Sequence, residues 1–283
     1  TAILEKLTTA SIAALSSAAF ARLSTDQIDV LTSLQLGAIT SSQLAAFSSS
    51  QVAVLGSDKI KALNASAIGS LSAKAMPGLS IEVIKAFTTD QVKGLSTSII
   101  SRLSVEQVGA LSVDQVEALT AAQIKVLSSS QMTALHADDI ATFTGDEIAA
   151  ISSRGILGVS TAAIEGLTTQ QIAKLSNAAF SALSTDQLKA LTSEQLKSIT
   201  TVQLNALKAA QIKSLAAEDI AALTTDQIAA LSTEAVANLT TAQIDNLKPA
   251  QLEAFTPTQV RALTSLQLSV LDGADINAFS TAD

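Results

Sequence analysis

Leu223-Thr224-Thr225-Asp226-Gln227-Ile228-Ala229-Ala230-Leu231 contains the eight-residue unit that repeats along the whole chain. The octad that begins at Thr224 has Gln three residues later, a large apolar residue at the next position, and Leu as its last residue. Thirty-five residues have numbers divisible by eight, and twenty-eight of them are Ser or Thr. The seven exceptions are Gly56, Asn64, His136, Lys208, Ala216, Lys248 and Asp272. Because no insertion breaks this register, the sequence predicts a single continuous repeat array of about 35 octads over residues 1–283.

A Ser or Thr followed three residues later by Gln is a capping box, in which two side chains satisfy free backbone groups at a helix start. Gly, Asn and Asp are also accepted caps, so Gly56, Asn64 and Asp272 fit the same role. The sequence therefore predicts that a new helix begins at each octad. The clearest boxes are Ser24/Gln27, Ser104/Gln107, Thr192/Gln195 and Thr224/Gln227.

Proline and charge follow the same register. Pro249 and Pro257 come directly after the cap, at the first helical position, where a missing N–H costs nothing. Thirteen of the 25 acids lie two residues after the cap, and twelve of the 17 bases lie five or six after it. This distribution complements a helix dipole repeated in every octad.

Two apolar positions in each octad, such as Ile28 and Leu31, lie three residues apart and hence on one helix face. One long helix would rotate that face by about 80° per octad, so no straight partner would cover it. One octad alone buries too little to fold, whereas a stack buries its faces between neighbours. The predicted fold class is all-α, a solenoid or superhelix of short two-turn helices with one helix per octad.

The Gln position also varies with a longer period of ten octads. Lys59, Asp139 and Asp219 occupy it at matching phases of this period. In the same octads the cap position carries Gly56, His136 and Ala216 in place of Ser or Thr. Two explanations stay open: duplication of an ancestral block, or a structural period such as a superhelical turn. Distorted helices are expected at Met76-Pro77-Gly78, where Pro lies inside an octad, and at Ser153-Arg154-Gly155 with Gly158.

Composition excludes several functional classes. The net charge is −8 and the bases are dispersed, so nucleic-acid binding is not expected. Polar residues interrupt every octad, so no membrane span is expected. The chain has no Cys, which leaves the redox compartment open. Both ends cut through an octad and there is no initiator Met, so we expect a segment of a longer array.

Few residues are candidates for chemistry. His136 is the single His and is interpreted as a substituted cap. Stacked carboxylates are an alternative Ca²⁺ ligand set, although solvated helix N-terminal charge is the simpler interpretation. Asn64 and Asn238 begin glycosylation sequons that this Ser/Thr density produces by chance. We therefore predict no enzyme activity and no catalytic, cofactor-binding or metal-binding residues. The paired acids are Asp138/Asp139, Asp146/Glu147 and Glu218/Asp219.

The octads in 223–231, Leu-Thr-Thr-Asp-Gln-Ile-Ala-Ala-Leu, and in 239–247, Leu-Thr-Thr-Ala-Gln-Ile-Asp-Asn-Leu, resemble an octapeptide repeat of large bacterial exoproteins and cell-surface proteins. This resemblance implies an extended, non-catalytic protein outside the cell or at its surface. It carries no assigned functional residues to transfer to this chain.

The expected function is structural: a rod, stalk or filament at or outside a bacterial cell surface, with head-to-tail or lateral self-association. An alternative is an adhesin-like binding module that holds a surface protein or a glycan. An intracellular scaffold is a third possibility. The Gln positions allow a ladder of side chains between octads, but capping is the simpler interpretation of their regularity.

Overall fold

A computed structural model describes residues 3–279 of the chain, and the described residues form helices and turns without any β-strand. The prediction of an all-α solenoid of short helices is confirmed. The chain forms two compact units, Thr1–Phe143 and Thr144–Asp283. The octad register of the sequence continues from the first unit into the second without an insertion. The single continuous array stays a prediction.

The first unit contains sixteen α-helices within its described residues, together with the 3₁₀ helices Leu4–Lys6 and Met76–Gly78. The α-helices are α1 (Thr9–Ala14), α2 (Ser17–Ala21), α3 (Thr25–Asp29), α4 (Ser33–Gly37), α5 (Ser41–Leu44), α6 (Ser49–Ala53), α7 (Gly56–Ile60), α8 (Ala65–Ile68), α9 (Ile81–Ala86), α10 (Thr89–Gly94), α11 (Thr97–Ile100), α12 (Val105–Val108), α13 (Val113–Glu117), α14 (Ala121–Lys125), α15 (Ser129–Met132) and α16 (Ala137–Ala141).

The second unit likewise contains sixteen α-helices in the part that the structure describes, and the 3₁₀ helix Gly155–Gly158. They are α17 (Gly145–Ala150), α18 (Thr161–Gly166), α19 (Thr169–Lys174), α20 (Asn177–Phe180), α21 (Thr185–Lys189), α22 (Ser193–Ser198), α23 (Thr201–Asn205), α24 (Ala209–Ser214), α25 (Ala217–Ala222), α26 (Thr225–Ala230), α27 (Thr233–Ala237), α28 (Thr241–Asp245), α29 (Pro249–Glu253), α30 (Pro257–Val260), α31 (Ser265–Leu268) and α32 (Gly273–Ala278).

Helices start where the capping box predicts. Thr224 accepts a hydrogen bond from the Gln227 backbone N–H at 3.2 Å, and the Gln227 side chain accepts from the Thr224 N–H at 2.8 Å. The boxes at Ser24, Ser104 and Thr192 are also present. The helices are short, because the last residue of the octad leaves the helix in an extended conformation, as Leu223 does with ψ 148°.

Gly56 is the exception among the predicted caps. It does not cap a helix: it is the first residue of α7, with a φ of 58°, and the helix has no side-chain cap. Asn64 and Asp272 do cap, accepting from Ser66 and from Ala274 and Asp275 respectively. Gly takes the left-handed conformation without steric cost. The backbone conformation at position 56 therefore requires glycine, and Gly56 does not cap the helix.

The core runs along the inside of each unit. Most residues at the fourth and seventh positions after the cap, such as Ile124 and Leu127, are buried. Phe20 and Phe47 stack with ring centroids 5.9 Å apart, although more than three octads separate them in sequence. Each octad therefore buries its two large side chains against octads of the next turn, as the packing argument predicts.

Helices pack on those three octads away in sequence, and the Gln43 side chain reaches the Ile12 and Leu15 carbonyl oxygens four octads earlier. Within the first unit α2 packs on α5, α5 on α8, and α10 on α13. Backbones approach closely between these turns: a Cβ on Gly94 would lie 2.3 Å from the Ala65 carbonyl oxygen. One superhelical turn therefore takes between three and four octads.

The two predicted distortions are confirmed. Both the Pro77 octad and the Gly155 octad form 3₁₀ turns, at Met76–Gly78 and Gly155–Gly158. They are one ten-octad period apart in sequence, in agreement with the long period of the Gln position.

Candidate functional site

His136 lies at the start of α16, and its side chain makes no capping hydrogen bond. Its backbone N–H donates to an Asp139 carboxylate oxygen at 2.8 Å. Asp139 itself is buried, whereas its neighbour Asp138 is exposed. The interpretation of His136 as the residue at a cap position is therefore correct, although the imidazole does not take over the hydroxyl's role.

The other paired acids use their second member in the same way. Glu147 accepts a 2.7 Å hydrogen bond from the Thr144 N–H, and Asp219 accepts one of 3.1 Å from the Ala216 N–H. Desolvation by burial raises the pKa of Asp219, and repulsion by Glu218 adds to the effect, against the Ala216 hydrogen bond. Within residues 3–279, no group of three or more His, Asp or Glu side chains is placed to hold a metal ion.

The side chains of the two sequon asparagines form hydrogen bonds with backbone groups. Asn64 accepts hydrogen bonds from both the N–H and the hydroxyl of Ser66, at 2.9 and 2.8 Å. The Asn238 amide donates to the Glu234 carbonyl oxygen at 2.9 Å. Both amides thus stabilise the ends of short helices, consistent with chance sequons in a Ser/Thr-rich repeat.

The most specific polar geometry of the described chain belongs to the buried glutamines. In the octad of Thr40, the Gln43 Oε1 accepts from the Thr40 N–H at 2.8 Å, as a capping box requires. Its Nε2 donates to the carbonyl oxygens of Ile12 and Leu15, at 2.8 and 2.7 Å. These carbonyls lie 31 and 28 residues earlier, on the adjacent superhelical turn.

We call the repetition of this contact the glutamine ladder. The bond from Nε2 to the carbonyl 28 residues earlier recurs at Gln35, Gln43, Gln51, Gln91, Gln107, Gln115, Gln123 and Gln131 in the first unit. In the second unit it recurs at Gln187, Gln195, Gln203, Gln211, Gln227, Gln243, Gln251, Gln259 and Gln267.

Each ladder glutamine can use its whole amide. A primary amide offers one acceptor oxygen and two N–H donors. Gln43 is 1% exposed, its oxygen accepts from the Thr40 N–H at a helix start, and its nitrogen donates to the Ile12 and Leu15 carbonyl oxygens at a helix end. The Ile12 carbonyl oxygen also accepts from the Leu15 N–H. One side chain therefore completes a helix start in its own octad and a helix end in the neighbouring turn.

Capping and the ladder coexist in the same side chain. The interpretation of the regular Gln positions by capping in place of a ladder is therefore wrong. The sequence did contain the signal. Glu satisfies a capping box as well as Gln does, yet Glu147 is the single glutamate at this position of the repeat. A carboxylate has no donor for the carbonyls of the next turn, so the strong preference for an amide indicates a donor requirement.

Residues other than glutamine occupy this position in many octads. Lys59 donates its Nζ to the Asp29 carbonyl oxygen and forms an ion pair with the Asp29 carboxylate, so it also joins adjacent turns. Asp139 and Asp219 keep the capping contact but have no amide N–H to donate. At Asp139 and Asp219 the bond from this side chain to the adjacent turn is therefore missing.

None of the helices among the described residues has both the length and the apolar character needed to cross a bilayer. A family model described as the ALTTAQ repeat matches the chain in four stretches, at residues 33–65, 84–121, 196–233 and 220–256. These matches confirm the predicted octapeptide repeat type. No curated protein matches the chain.

Proposed function

We propose that this chain is a non-catalytic structural repeat protein that forms an extended rod or filament at or outside a bacterial cell surface. The observation that carries the proposal is the glutamine ladder, because at many octads of each unit it joins adjacent turns by the same kind of backbone contact. An array that extends by identical local contacts has no intrinsic limit of length. Its stability is a sum over neighbouring turns.

Self-association follows from the same geometry. One side of each turn presents amide donors and the other side presents carbonyl acceptors, as Gln195 and its acceptors Ile164 and Leu167 illustrate. Complementary sides of this kind suit head-to-tail contacts, which generate filaments when the rotation does not close a ring. Lateral contacts are a second route to the same assembly.

Electron microscopy and sedimentation of the full chain at increasing protein concentration test the assembly. Filaments that lengthen with concentration are expected. Particles of constant length at every concentration would contradict a filament. Antibodies raised against the chain should label intact cells of the organism that produces it, whereas labelling only after permeabilisation would rule out the surface location.

The alternative, an adhesin-like module that holds a protein or a glycan, is favoured by one specific feature. Large aliphatic side chains are exposed at the first helical position of a few octads, where Ser, Thr and other small residues otherwise stand. If the chain is monodisperse and binds a partner through those residues, the binding role replaces the filament role.

A further inference from the structure

An open groove of about 530 Å³ lies on the first unit beside the 3₁₀ turn Met76–Gly78. Its lining is mixed, and Arg102 and Glu106 contribute the charged side chains. The groove lies at the octad in which Pro77 is part of a 3₁₀ turn and no α-helix forms. Its apolar lining comes from Met76, Pro77, Leu79 and Ile81.

Ile81 is one of three large aliphatic residues that occupy the first helical position of their octads. It is the first residue of α9, and Val105 and Val113 are the first residues of α12 and α13. Elsewhere in the chain this position carries Ser, Thr, Ala, Asn, Gly or Pro. The three aliphatic side chains are 37%, 38% and 45% exposed, so they contribute little to the core.

The three helices are direct neighbours in the stack. α9 packs on α12. α13 is joined to α9 by the ladder, since Gln115 donates to the carbonyl oxygens of Ile84 and Phe87 at 3.0 and 2.8 Å. The groove and the three aliphatic residues thus belong to adjoining turns. We call Met76, Pro77, Ile81, Val105 and Val113 the apolar face.

Acids border this face. The residue after each of the three aliphatic positions is Glu82, Glu106 or Asp114, and all three are exposed. Hydrogen bonds from its own backbone N–H and from the Ser80 hydroxyl lower the pKa of Glu82, and its own N–H and the Ser104 hydroxyl lower the pKa of Glu106 in the same way. These two carboxylates therefore stay negatively charged to a lower pH than glutamate usually does. Basic residues are present as well, because Lys85 interacts electrostatically with Glu82 and Arg102 lines the groove.

The acidic border continues along the first unit. Seven acids stand at the second position after the cap, and each lies three or four octads from another, which is the spacing of packed helices. The other octads of the described first unit carry no acid at that position. The acids therefore fall on one side of this unit. They are Asp26, Asp58, Glu82, Asp90, Glu106, Asp114 and Asp138.

We infer that the apolar face docks a basic amphipathic helix of another protein, whose apolar side chains cover Ile81, Val105 and Val113 and whose Lys or Arg residues meet the acidic border. Exposed apolar surface rimmed by charge is typical of helix-binding grooves. The sign of the rim selects a cationic partner. A second copy of this face would set its carboxylates against the first, so self-pairing here is disfavoured. This inference does not depend on filament formation.

A direct test uses the full chain and a labelled synthetic peptide of about 18 residues, built from Leu and Lys with helical spacing. Fluorescence anisotropy should show saturable binding. The Ile81→Ser, Val105→Thr, Val113→Thr variant restores the usual small polar residues and should weaken binding by about tenfold or more. Glu82→Gln with Glu106→Gln and Asp114→Asn should weaken binding and reduce its salt dependence.

A matched control removes exposed aliphatic surface elsewhere. Val202→Thr with Leu266→Ser changes side chains that are 59% and 71% exposed in the second unit, and should leave peptide affinity unchanged. Circular dichroism and thermal melts establish that all variants fold. The inference is overturned if the peptide does not bind, if the control loses as much affinity as the triple variant, or if a Lys/Ser peptide binds as tightly. Concentration-dependent dimers that the triple variant abolishes would identify a second copy as the occupant instead.

Discussion

Gln123 donates a 2.8 Å hydrogen bond to the carbonyl oxygen of Leu95, which lies 28 residues earlier and one superhelical turn away. The same nitrogen reaches the Val92 carbonyl oxygen at 2.8 Å, and the Gln123 oxygen accepts from the Thr120 N–H at 2.7 Å. Three backbone groups on two turns thus depend on one side chain that is 2% exposed.

Replacing this glutamine should therefore destabilise the chain more than loss of a cap alone. Gln123→Ala leaves the buried Leu95 carbonyl oxygen without a donor, whereas the Val92 carbonyl oxygen keeps the Leu95 N–H, and the expected cost is about 2 kcal/mol or more in the free energy of unfolding. Urea titration followed by circular dichroism measures the change.

Gln27 provides the matched control for this measurement. It accepts from the Ser24 N–H at 2.9 Å, but its amide nitrogen donates to no carbonyl among the described residues. Gln27→Ala should therefore cost only about 0.5–1 kcal/mol, the usual loss for a cap. Equal effects of the two substitutions would show that the ladder adds nothing to capping.

Much of the fold follows from sequence regularities that are local. Ser and Thr at every eighth residue identify the helix starts, and the strict apolar positions, such as Ile228 and Leu231, identify the core. Capping and burial act within one or two octads, so a single sequence is sufficient to infer them.

The number of octads per turn was not predictable in the same way. It depends on which carbonyls the Gln amide nitrogens reach, and those carbonyls lie 28 and 31 residues away, as Leu15 and Ile12 do from Gln43. No short-range pattern contains that distance. The apolar face was missed for a related reason, because Ile81, Val105 and Val113 become neighbours only once the turns are stacked.

An interrupted position of the ladder should be repairable. Asp219 takes the glutamine position but has no donor for the Leu188 and Leu191 carbonyl oxygens, which stand where the acceptors of a ladder glutamine would be on the preceding turn. Asp219→Gln supplies a longer side chain with two N–H donors and should stabilise the chain at neutral pH by about 1–2 kcal/mol. Asp219→Asn, which is shorter, should gain less. An Asn variant as stable as the Gln variant would indicate that charge removal alone is responsible.

Asp219 should also give the stability a specific pH dependence. Its pKa is raised in the folded chain, chiefly by desolvation, so folding favours its protonated form. The native residue is therefore least costly below the unfolded pKa of about 3.9 and becomes costly as pH rises through the folded value. The advantage of Asp219→Asn in denaturation midpoint should be largest at neutral pH and shrink towards pH values of about 3. A difference that is constant over this range would contradict the assignment.

A final prediction concerns Gly94, the last residue of α10, where the backbones of adjacent turns approach closely. A Cβ at this residue would meet the Ala65 carbonyl oxygen at 2.3 Å, and that oxygen belongs to the backbone and cannot rotate away. Gly94→Ala should therefore force α8 and α10 apart and lower the free energy of unfolding by about 1–3 kcal/mol. Gly166 occupies the same octad position, at the end of α18, and a Cβ there would meet nothing within 4 Å. Gly166→Ala should instead stabilise its helix by about 0.5–1 kcal/mol. Thermal melts of the two variants should thus shift in opposite directions, and a shift of the same sign in both would mean that glycine serves backbone freedom rather than contact between turns.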